Sequence, residues 1–600
     1  MPAFIYETQT NSTQNKSVAV NLLGGAKNKF AIGAKAEIYY DNKYSVLENY
    51  PSRGFQSSVS TNLVFGVGNT DKIDSLKITW PNSSISLFKS LKTNKQYTYS
   101  QPNTNNEYDF LTSNSERSFI SKETSLFDFK HQENKFVDFN REQLLPEMFS
   151  NEGPNVASAD VNKDGKLDYY IGGAKGQLGQ LFLSQNSDEF ISVSQPFITN
   201  KSSEDTDAVF FDSDNDGDLD LYVTSGGKSY SKFDFLLHDR LYINDGLGNF
   251  TKAQNGLPFK QPISSSTVST YDYDNDGDED IFIGERFKVE AYGLPVNGYL
   301  LENKGNNNFV ISEQLDLQNL GLITDSEWKD INKDGLKDLI ISGEWMPISI
   351  FLNIEGQLVN KTKEYELQNY SGFWKTFKTV DIDNDGDLDI IAGNKGENTF
   401  LKNNLRIYIS DFDNNGKVEQ IICYAKNGKY YPILDRDELI SQIVSLKTKL
   451  RYYKDYANAS MATIFTKEQL EKAIFRDITV TKSALFLNEN TTFTMHSLPI
   501  EIQYSNIEAI ETLDVNNDGI LDVLFGGNQY LVKPQFGRQD ASYGWLMLGN
   551  DYGSQFGAVT SLDIKGQIRD FHKTKINNKN YIITTINNEN LVFLKVNDNN

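Results

Sequence analysis

Asp212-Ser-Asp-Asn-Asp-Gly-Asp-Leu-Asp220, followed at once by Leu221-Tyr-Val-Thr-Ser-Gly226, sets the architecture expected of this 600-residue chain. The pattern D-x-D/N-x-D/N-G-x-x-D/E recurs seven times, starting at Asp160, Asp212, Asp272, Asp330, Asp381, Asp411 and Asp514. Successive starts are 52, 60, 58, 51, 30 and 103 residues apart, and a near-constant step over the first five copies marks a repeat architecture. Oxygen donors at positions 1, 3, 5 and 9, a Gly at position 6 for the sharp turn and a backbone carbonyl at position 7 are what a hard divalent cation such as Ca²⁺ asks of a short loop.

The candidate metal ligands in the first three copies are Asp160, Asn162, Asp164, Lys166 and Asp168; Asp212, Asp214, Asp216, Asp218 and Asp220; and Asp272, Asp274, Asp276, Asp278 and Asp280. The next two copies add Asp330, Asn332, Asp334, Leu336 and Asp338, then Asp381, Asp383, Asp385, Asp387 and Asp389. The last two add Asp411, Asp413, Asn415, Lys417 and Glu419, then Asp514, Asn516, Asp518, Ile520 and Asp522. The position-7 residues enter through their carbonyls. An EF-hand is excluded, because position 12 is apolar in every copy (Ile171, Val223, Ile283, Ile341, Ala392, Ile422 and Phe525) where that motif needs a bidentate Glu.

After each loop comes a short apolar run that reads as a buried strand, and a second strand follows in most units, as in Arg240-Leu-Tyr-Ile-Asn and Trp545-Leu-Met-Leu-Gly-Asn. Strand-rich units of this length without intervening helices predict an all-β chain whose main domain is a β-propeller. Seven loops predict seven blades, although the 30-residue step is too short for a blade and the 103-residue step too long. The stretch from Asn580 to Val596 reads as a degenerate blade without a metal loop. The long step holds a helical insertion near 437–475. Leu439, Ile440, Ile443, Leu446 and Leu450 fall at helical spacing, and Thr466-Lys-Glu-Gln has the form of a capping box before Leu470, Ala473 and Ile474. This insertion is expected to pack against the propeller rim.

The formal charge is −23, and 24 acids occupy positions 1, 3, 5 and 9 of the seven loops. Seven bound Ca²⁺ would bring that charge to about −9, so most of the acidity is internal ligation and the metal is expected to be structural. Such a chain is no nucleic-acid binder. No apolar run is long enough to span a bilayer as a helix, and the opening residues lack the basic and apolar segments of a signal peptide. The single cysteine, Cys423, excludes an internal disulfide framework and is expected to be buried. Four scattered histidines and the lack of HExxH, GxSxG or P-loop motifs give no catalytic constellation, and His131 and His238 read as structural.

The loop followed by an apolar strand and Gly resembles the FG-GAP and VCBS repeats of integrin α-subunit propellers and many exported bacterial proteins. Asn28-Lys-Phe-Ala-Ile-Gly-Ala-Lys-Ala-Glu-Ile, Ser52-Arg-Gly-Phe-Gln-Ser-Ser, Phe65-Gly-Val-Gly and Asp74-Ser-Leu-Lys-Ile-Thr-Trp-Pro resemble the ASPIC/UnbV domain of cartilage acidic protein and its bacterial relatives. Gly343-Glu-Trp-Met-Pro, Gly372-Phe-Trp and Gly537-Arg-Gln-Asp-Ala-Ser-Tyr-Gly resemble the large FG-GAP/ASPIC surface proteins of Bacteroidetes. Asn415 and Glu419 depart from the usual Asp of the repeat, which puts metal occupancy of that loop in doubt.

The resemblance implies an exported, Ca²⁺-binding protein of the cell surface, outer membrane or matrix, with about six or seven Ca²⁺ per chain, that works by binding. It implies a glycan or an outer-membrane uptake-system protein as partner, and an upstream propeller and export signal preceding this chain. The expected domains are an ASPIC/UnbV-like β-domain (1–102), a linker with entry strands (103–150) and the propeller (151–600). Arg286, Tyr292, Trp345, Trp374, Arg538, Asp540 and Tyr543 combine ring platforms and hydrogen-bonding groups in or near Gly-containing loops and are the candidate ligand-binding residues. A Ca²⁺-dependent polysaccharide lyase or hydrolase, and a purely structural matrix component, are the alternatives.

Overall fold

The computed structural model describes residues 14–597 apart from 55, 83, 103–118, 124–125, 186–188, 194–200, 254–256, 403, 490 and 551–555. The chain divides into two compact units, Met1–Ser118 and Phe119–Asn600. Of the expected linker (103–150), residues 103–118 and 124–125 lie outside the described residues.

In the first unit Lys16–Leu23 lies between Leu63–Gly68, antiparallel to it, and Lys95–Ser100, parallel to it. A second, antiparallel sheet runs in the order Lys43–Glu48, Lys35–Tyr40, Lys72–Thr79 and Ile85–Lys92. Leu63, Phe65 and Val67 are buried while Val64 and its alternates are exposed, the period of two that a half-buried strand requires. Val18, Val20, Ile38, Phe65, Ile78 and Trp80 share the core of this β-rich domain.

Among the described residues of the second unit, seven antiparallel sheets follow one another at 156–193, 205–252, 264–311, 322–360, 376–497, 507–561 and 567–596. Each has four strands except the fourth sheet, to which Gly372–Phe373 adds a fifth, and the fourth strand of the last is supplied by Ile120–Glu123. The first strand of each lies beside the first strand of the next, and the seventh returns to the first, Gln567–Ile576 beside Val156–Ala159. These sheets are the blades of a closed β-propeller, numbered here in chain order. The second strands Asp220–Ser225, Asp280–Phe287 and Asp338–Met346 are buried at every residue, because adjacent blades cover both of their faces. That double burial is why the sequence shows continuous apolar runs there rather than alternation.

The irregular steps in the repeat have a topological cause. Between the second and third strands of blade 5 the chain departs and builds a separate sheet, ordered Lys429–Pro432, Glu419–Lys426, Leu405–Ser410 and Ile474–Ile478. The Asp411 loop joins two strands of this insertion and belongs to no blade, so loops and blades do not correspond one to one. Blades 1 to 6 each carry one loop; the remaining loop, at Asp411, lies in the insertion and blade 7 has none.

The helical stretch read near 437–475 is part of the same insertion, broken into Arg436–Gln442, Tyr453–Tyr456, Met461–Ile464 and Lys467–Lys472. Thr466 caps the last of these by accepting the Gln469 N–H, but the helix ends at Lys472. Ile474, expected on its apolar stripe, instead opens a strand with its side chain exposed. Leu439, Ile443, Leu446 and Leu450 pack with the buried Cys423. No helix of the described residues is long and apolar enough to cross a membrane.

Blade 7 is completed by the start of the unit. Ile120–Glu123 pairs antiparallel with Val592–Val596 as its outer strand, so the propeller unit begins before the expected boundary at 151. The first strands of the blades surround an axial cavity of about 300 Å³, lined by groups that include Asp207, Asp325, Lys378, Glu511, Asp570 and His572.

His131 is buried where the entry segment meets blade 7, and its Nδ1 accepts the Asn588 N–H. Burial, with Arg569 nearby, pushes its pKa down to about 3. The unfolded chain therefore takes up a proton there that the folded chain refuses, and this residue's contribution to stability falls as pH drops from about 6.5 toward about 3. His131→Gln removes the titration. Urea midpoints of variant and wild type, compared from about pH 7 to about pH 4.5, are expected to shift in the variant's favour as pH falls. A constant difference between the two would refute the assignment.

Candidate metal loops and the plugged face

The six blade loops join first to second strands and therefore lie on one face of the ring. Each is folded by its own acids. The position-1 carboxylate accepts the N–H of the position-6 Gly, at 2.8 Å for Asp160 and Gly165 and 3.0 Å for Asp381 and Gly386. The position-5 side chain accepts the N–H of position 7, as Asp216 does from Asp218 at 2.9 Å. Gly at position 6 has φ between 82° and 97° in all seven loops, a region in which a Cβ is strained. Position 4 is left-handed too, at Lys163, Asn215, Asn275, Lys333, Asn384, Asn414 and Asn517. The recurrence of Asn or Lys there was the signal, passed over in the sequence, for a second positive φ.

Position 9 has a different task from the one expected of it. Asp168 accepts the N–H groups of Val161 (3.1 Å) and Ser184 (2.8 Å), tying the loop to the third strand of its blade. Asp220, Asp280, Asp338, Asp389 and Asp522 repeat this pattern. The structure brings together positions 1, 3 and 5 as Asp212, Asp214 and Asp216, as Asp272, Asp274 and Asp276, and as Asp381, Asp383 and Asp385. Asp220, Asp280 and Asp389 stand outside those clusters. In the insertion loop the group is Asp411, Asp413 and Glu419, so there position 9 joins. In the Asp160, Asp330 and Asp514 loops, position 3 is Asn162, Asn332 or Asn516, each of which accepts the N–H of position 5.

Two observations show that these groups fit a cation. Asp212 Oδ1, Asp214 Oδ1, Asp381 Oδ1, Asp413 Oδ1 and Glu419 Oε1 are buried without a hydrogen-bond partner, a state that costs a carboxylate most of its hydration with no return. Burial, with Asp413 and Asp411 adding to it, also pushes Glu419 up to about 7. Neighbouring loops are stitched together besides. Lys163 of blade 1 pairs with Asp218 of blade 2, Asn215 of blade 2 donates to Asp278 of blade 3, and Lys333 of blade 4 reaches Asp387 of blade 5 at 2.5 Å.

The opposite face is closed by the chain's own segment 138–152. Asp138 accepts the Phe149 N–H and the Ser150 hydroxyl, both at 2.6 Å, folding the segment on itself. Three of its glutamates then meet cations from three blades: Glu142 with Lys228 (2.6 Å), Glu152 with Arg286 (2.9 Å) and Glu147 with Lys395 (2.5 Å). Beneath them Glu344 receives Arg286 at 3.2 Å, Lys375 at 2.7 Å and the Tyr292 hydroxyl at 2.8 Å, and Trp345 Nε1 donates to that hydroxyl at 3.0 Å. Burial alone would raise the Glu344 pKa; Arg286 and Lys375 instead hold it well below the usual carboxylate range.

The candidate ligand residues therefore divide. Arg286, Tyr292 and Trp345 belong to this buried network, and Trp374 packs in the core between blades 4 and 5 with its Nε1 on the Tyr370 carbonyl. Tyr292, Trp345 and Trp374 present no surface to a ligand, and Arg286 reaches only the axial cavity. Arg538, Asp540 and Tyr543 lie in the loop after the second strand of blade 6 and are exposed. Arg538 pairs with Asp540 at 3.3 Å and stacks 3.4 Å from the Tyr530 ring centroid.

A closed ring of β-sheet blades with acidic loops on one face and a charged plug on the other is a β-propeller. Residues 24–106 match the ASPIC and UnbV family, and residues 150–223 and 330–392 match the FG-GAP-like repeat. The chain thus carries an ASPIC/UnbV domain followed by FG-GAP-like repeats. Among solved structures it is similar to Saccharomyces cerevisiae Sqt1 (11% identity, 76% of this chain and 98% of that chain, TM-score 0.36). It is similar also to the V. cholerae biofilm matrix protein Bap1 (11%, 80% and 91%, 0.31) and the Neurospora crassa Pan2 WD40 domain (7%, 80% and 98%, 0.33). No curated protein sequence matches the chain.

Proposed function

We propose that this protein is a Ca²⁺-stabilised propeller that acts by binding at the cell surface or in the surrounding matrix, with a glycan or a surface protein as its ligand. The observation that carries the metal reading is the set of buried loop oxygens without partners. An all-oxygen donor set without thiolate or imidazole suits Ca²⁺ rather than Zn²⁺. Support for binding comes from the FG-GAP-like repeats, which belong to a propeller architecture rather than to a catalytic family. With the axial mouth occupied by segment 138–152, a ligand has to be held by exposed groups around it. Arg538, with Tyr530 and Lys565, lines one such depression of about 970 Å³.

The test is incubation of the protein with a panel of soluble polysaccharides in Ca²⁺. Retention of a polymer whose mass is unchanged supports the binding reading. New unsaturated or reducing ends would make the protein a lyase or hydrolase and overturn it.

A further inference from the structure

A groove of about 860 Å³ lies on the plugged face between blades 2 and 3 and the insertion. Three of the elements that form it carry lysines: the loop after the second strand of blade 2, with Lys232 and Phe233; the approach to blade 3, with Phe259 and Lys260; and the insertion loop, with Lys417. The end of the second strand of blade 3 and the plug segment line the rest. In a chain of charge −23 its lining still carries more cations (Arg141, Lys232, Lys260, Lys288 and Lys417) than acids (Glu142, Glu285 and Glu290). Two of its cations are committed, Lys288 to Glu285 at 2.6 Å and Arg141 to the Lys228 carbonyl at 2.9 Å. Lys232, Lys260 and Lys417 form no ion pair among the described residues, and Lys232 sits 5.1 Å from the Phe233 ring centroid. Phe233 is 66% exposed, and Phe259 meets Tyr299 edge to face at 5.2 Å. Ammonium groups are point charges without the planar fork that selects a single carboxylate or phosphate. Spread over three elements and interleaved with ring faces, they match a chain of sugar rings bearing repeated anionic groups.

The insertion wall of this groove is a metal loop. Gly416, Lys417 and Val418 line the groove and lie within the loop that ends at Glu419. Its Asp411 accepts the Gly416 N–H at 2.8 Å and its Asn415 accepts the Lys417 N–H at 2.8 Å. Glu419 is fully buried, and its Oε1 and Asp413 Oδ1 have no hydrogen-bond partner. The other six loops lie in blades on the opposite face; this one holds no blade together.

We propose that the groove binds an acidic polysaccharide and that a Ca²⁺ held by Asp411, Asp413 and Glu419 fixes its insertion wall. The inference rests on the reading of the acidic loops as Ca²⁺ sites and gives one of them a role in ligand binding. Lys417 is then the residue through which the metal is felt, since its backbone is shaped by the loop that the cation would order.

The experiment titrates the full chain with a soluble chondroitin sulfate oligosaccharide in Ca²⁺, with dextran and poly-glutamate in parallel. Binding of chondroitin sulfate and not dextran is expected, weakened about tenfold by the combined change Lys232→Ala, Lys260→Ala and Lys417→Ala at an unchanged melting temperature. Asp413→Asn is expected to remove one Ca²⁺ from the metal count and to weaken binding several-fold while melting in Ca²⁺ stays near that of wild type. Equal binding of dextran, or full binding by the triple variant, overturns the groove. Tighter binding of poly-glutamate reassigns it to an acidic peptide and overturns the polysaccharide. Loss of one Ca²⁺ with undiminished binding overturns the metal's part alone. A wild-type chain without Ca²⁺ would refute the metal reading itself, while the lysine variants still judge the groove.

Discussion

Chelation is expected to unfold this protein or lower its melting temperature by about 20 °C, and the untreated chain is expected to carry about six or seven Ca²⁺. Any ligand that binds only the folded state adds stability by mass action, about 2.7 kcal/mol per site when present at a hundred times its dissociation constant. Six blade loops acting together contribute on the order of 16 kcal/mol, as much as the whole stability of an ordinary domain. Without the cation, each loop holds its acids against one another, three of them in the Asp212, Asp272 and Asp381 clusters. The position-9 Asp ties the loop to the third strand, so strain in a loop is passed directly to its blade. Metal analysis by mass spectrometry, paired with melting in Ca²⁺ and in chelator, measures both halves. A count of one or none with unchanged melting would sink the loop assignment.

The second large effect belongs to Glu344→Gln, expected to cost about 3–5 kcal/mol. Glu344 is fully buried and faces both Arg286 and Lys375. A glutamine of the same shape still accepts from Tyr292 but leaves two buried cations sharing the partly exposed Glu152, at 2.9 Å and 3.8 Å. Adding Arg286→Gln to the variant is expected to recover part of the loss, because the excess charge is then reduced. Chemical denaturation of the four-member cycle reads this coupling. A loss below about 1 kcal/mol for Glu344→Gln would mean that the network under the plug bears little of the fold's stability.

The parts of the fold that were legible in the sequence are those written locally. A metal loop of nine residues and the strand after it are contiguous, so six blades announced themselves through Asp160, Asp212, Asp272, Asp330, Asp381 and Asp514. The insertion was not legible as a sheet, because it separates Asp389–Gly393 from its partner Ala484–Asn488 and periodicity reports only neighbours in sequence. The plug was invisible for the same reason: nothing local marks Glu142, Glu147 and Glu152, whose partners Lys228, Lys395 and Arg286 lie far along the chain. Arg286, Tyr292, Trp345 and Trp374 were singled out because they join rings to hydrogen-bonding groups. A buried polar network needs the same combination, and only burial tells the two apart.

The strand Ile120–Glu123 has a consequence for how the molecule is made. Its partner strand lies at the far end of the unit, and Ser121 meets Asn597 across 476 residues of sequence. At roughly 5–20 residues per second, a ribosome needs on the order of half a minute to a minute and a half to bridge that distance. Throughout that interval blades already synthesised can pair within themselves, but the ring stays open and blade 7 lacks its rim strand. Completion of blade 7 therefore waits for Val592–Val596, and a chain arrested shortly before Val592 leaves the edges of Ile120–Glu123 and Lys579–Asn587 unpaired.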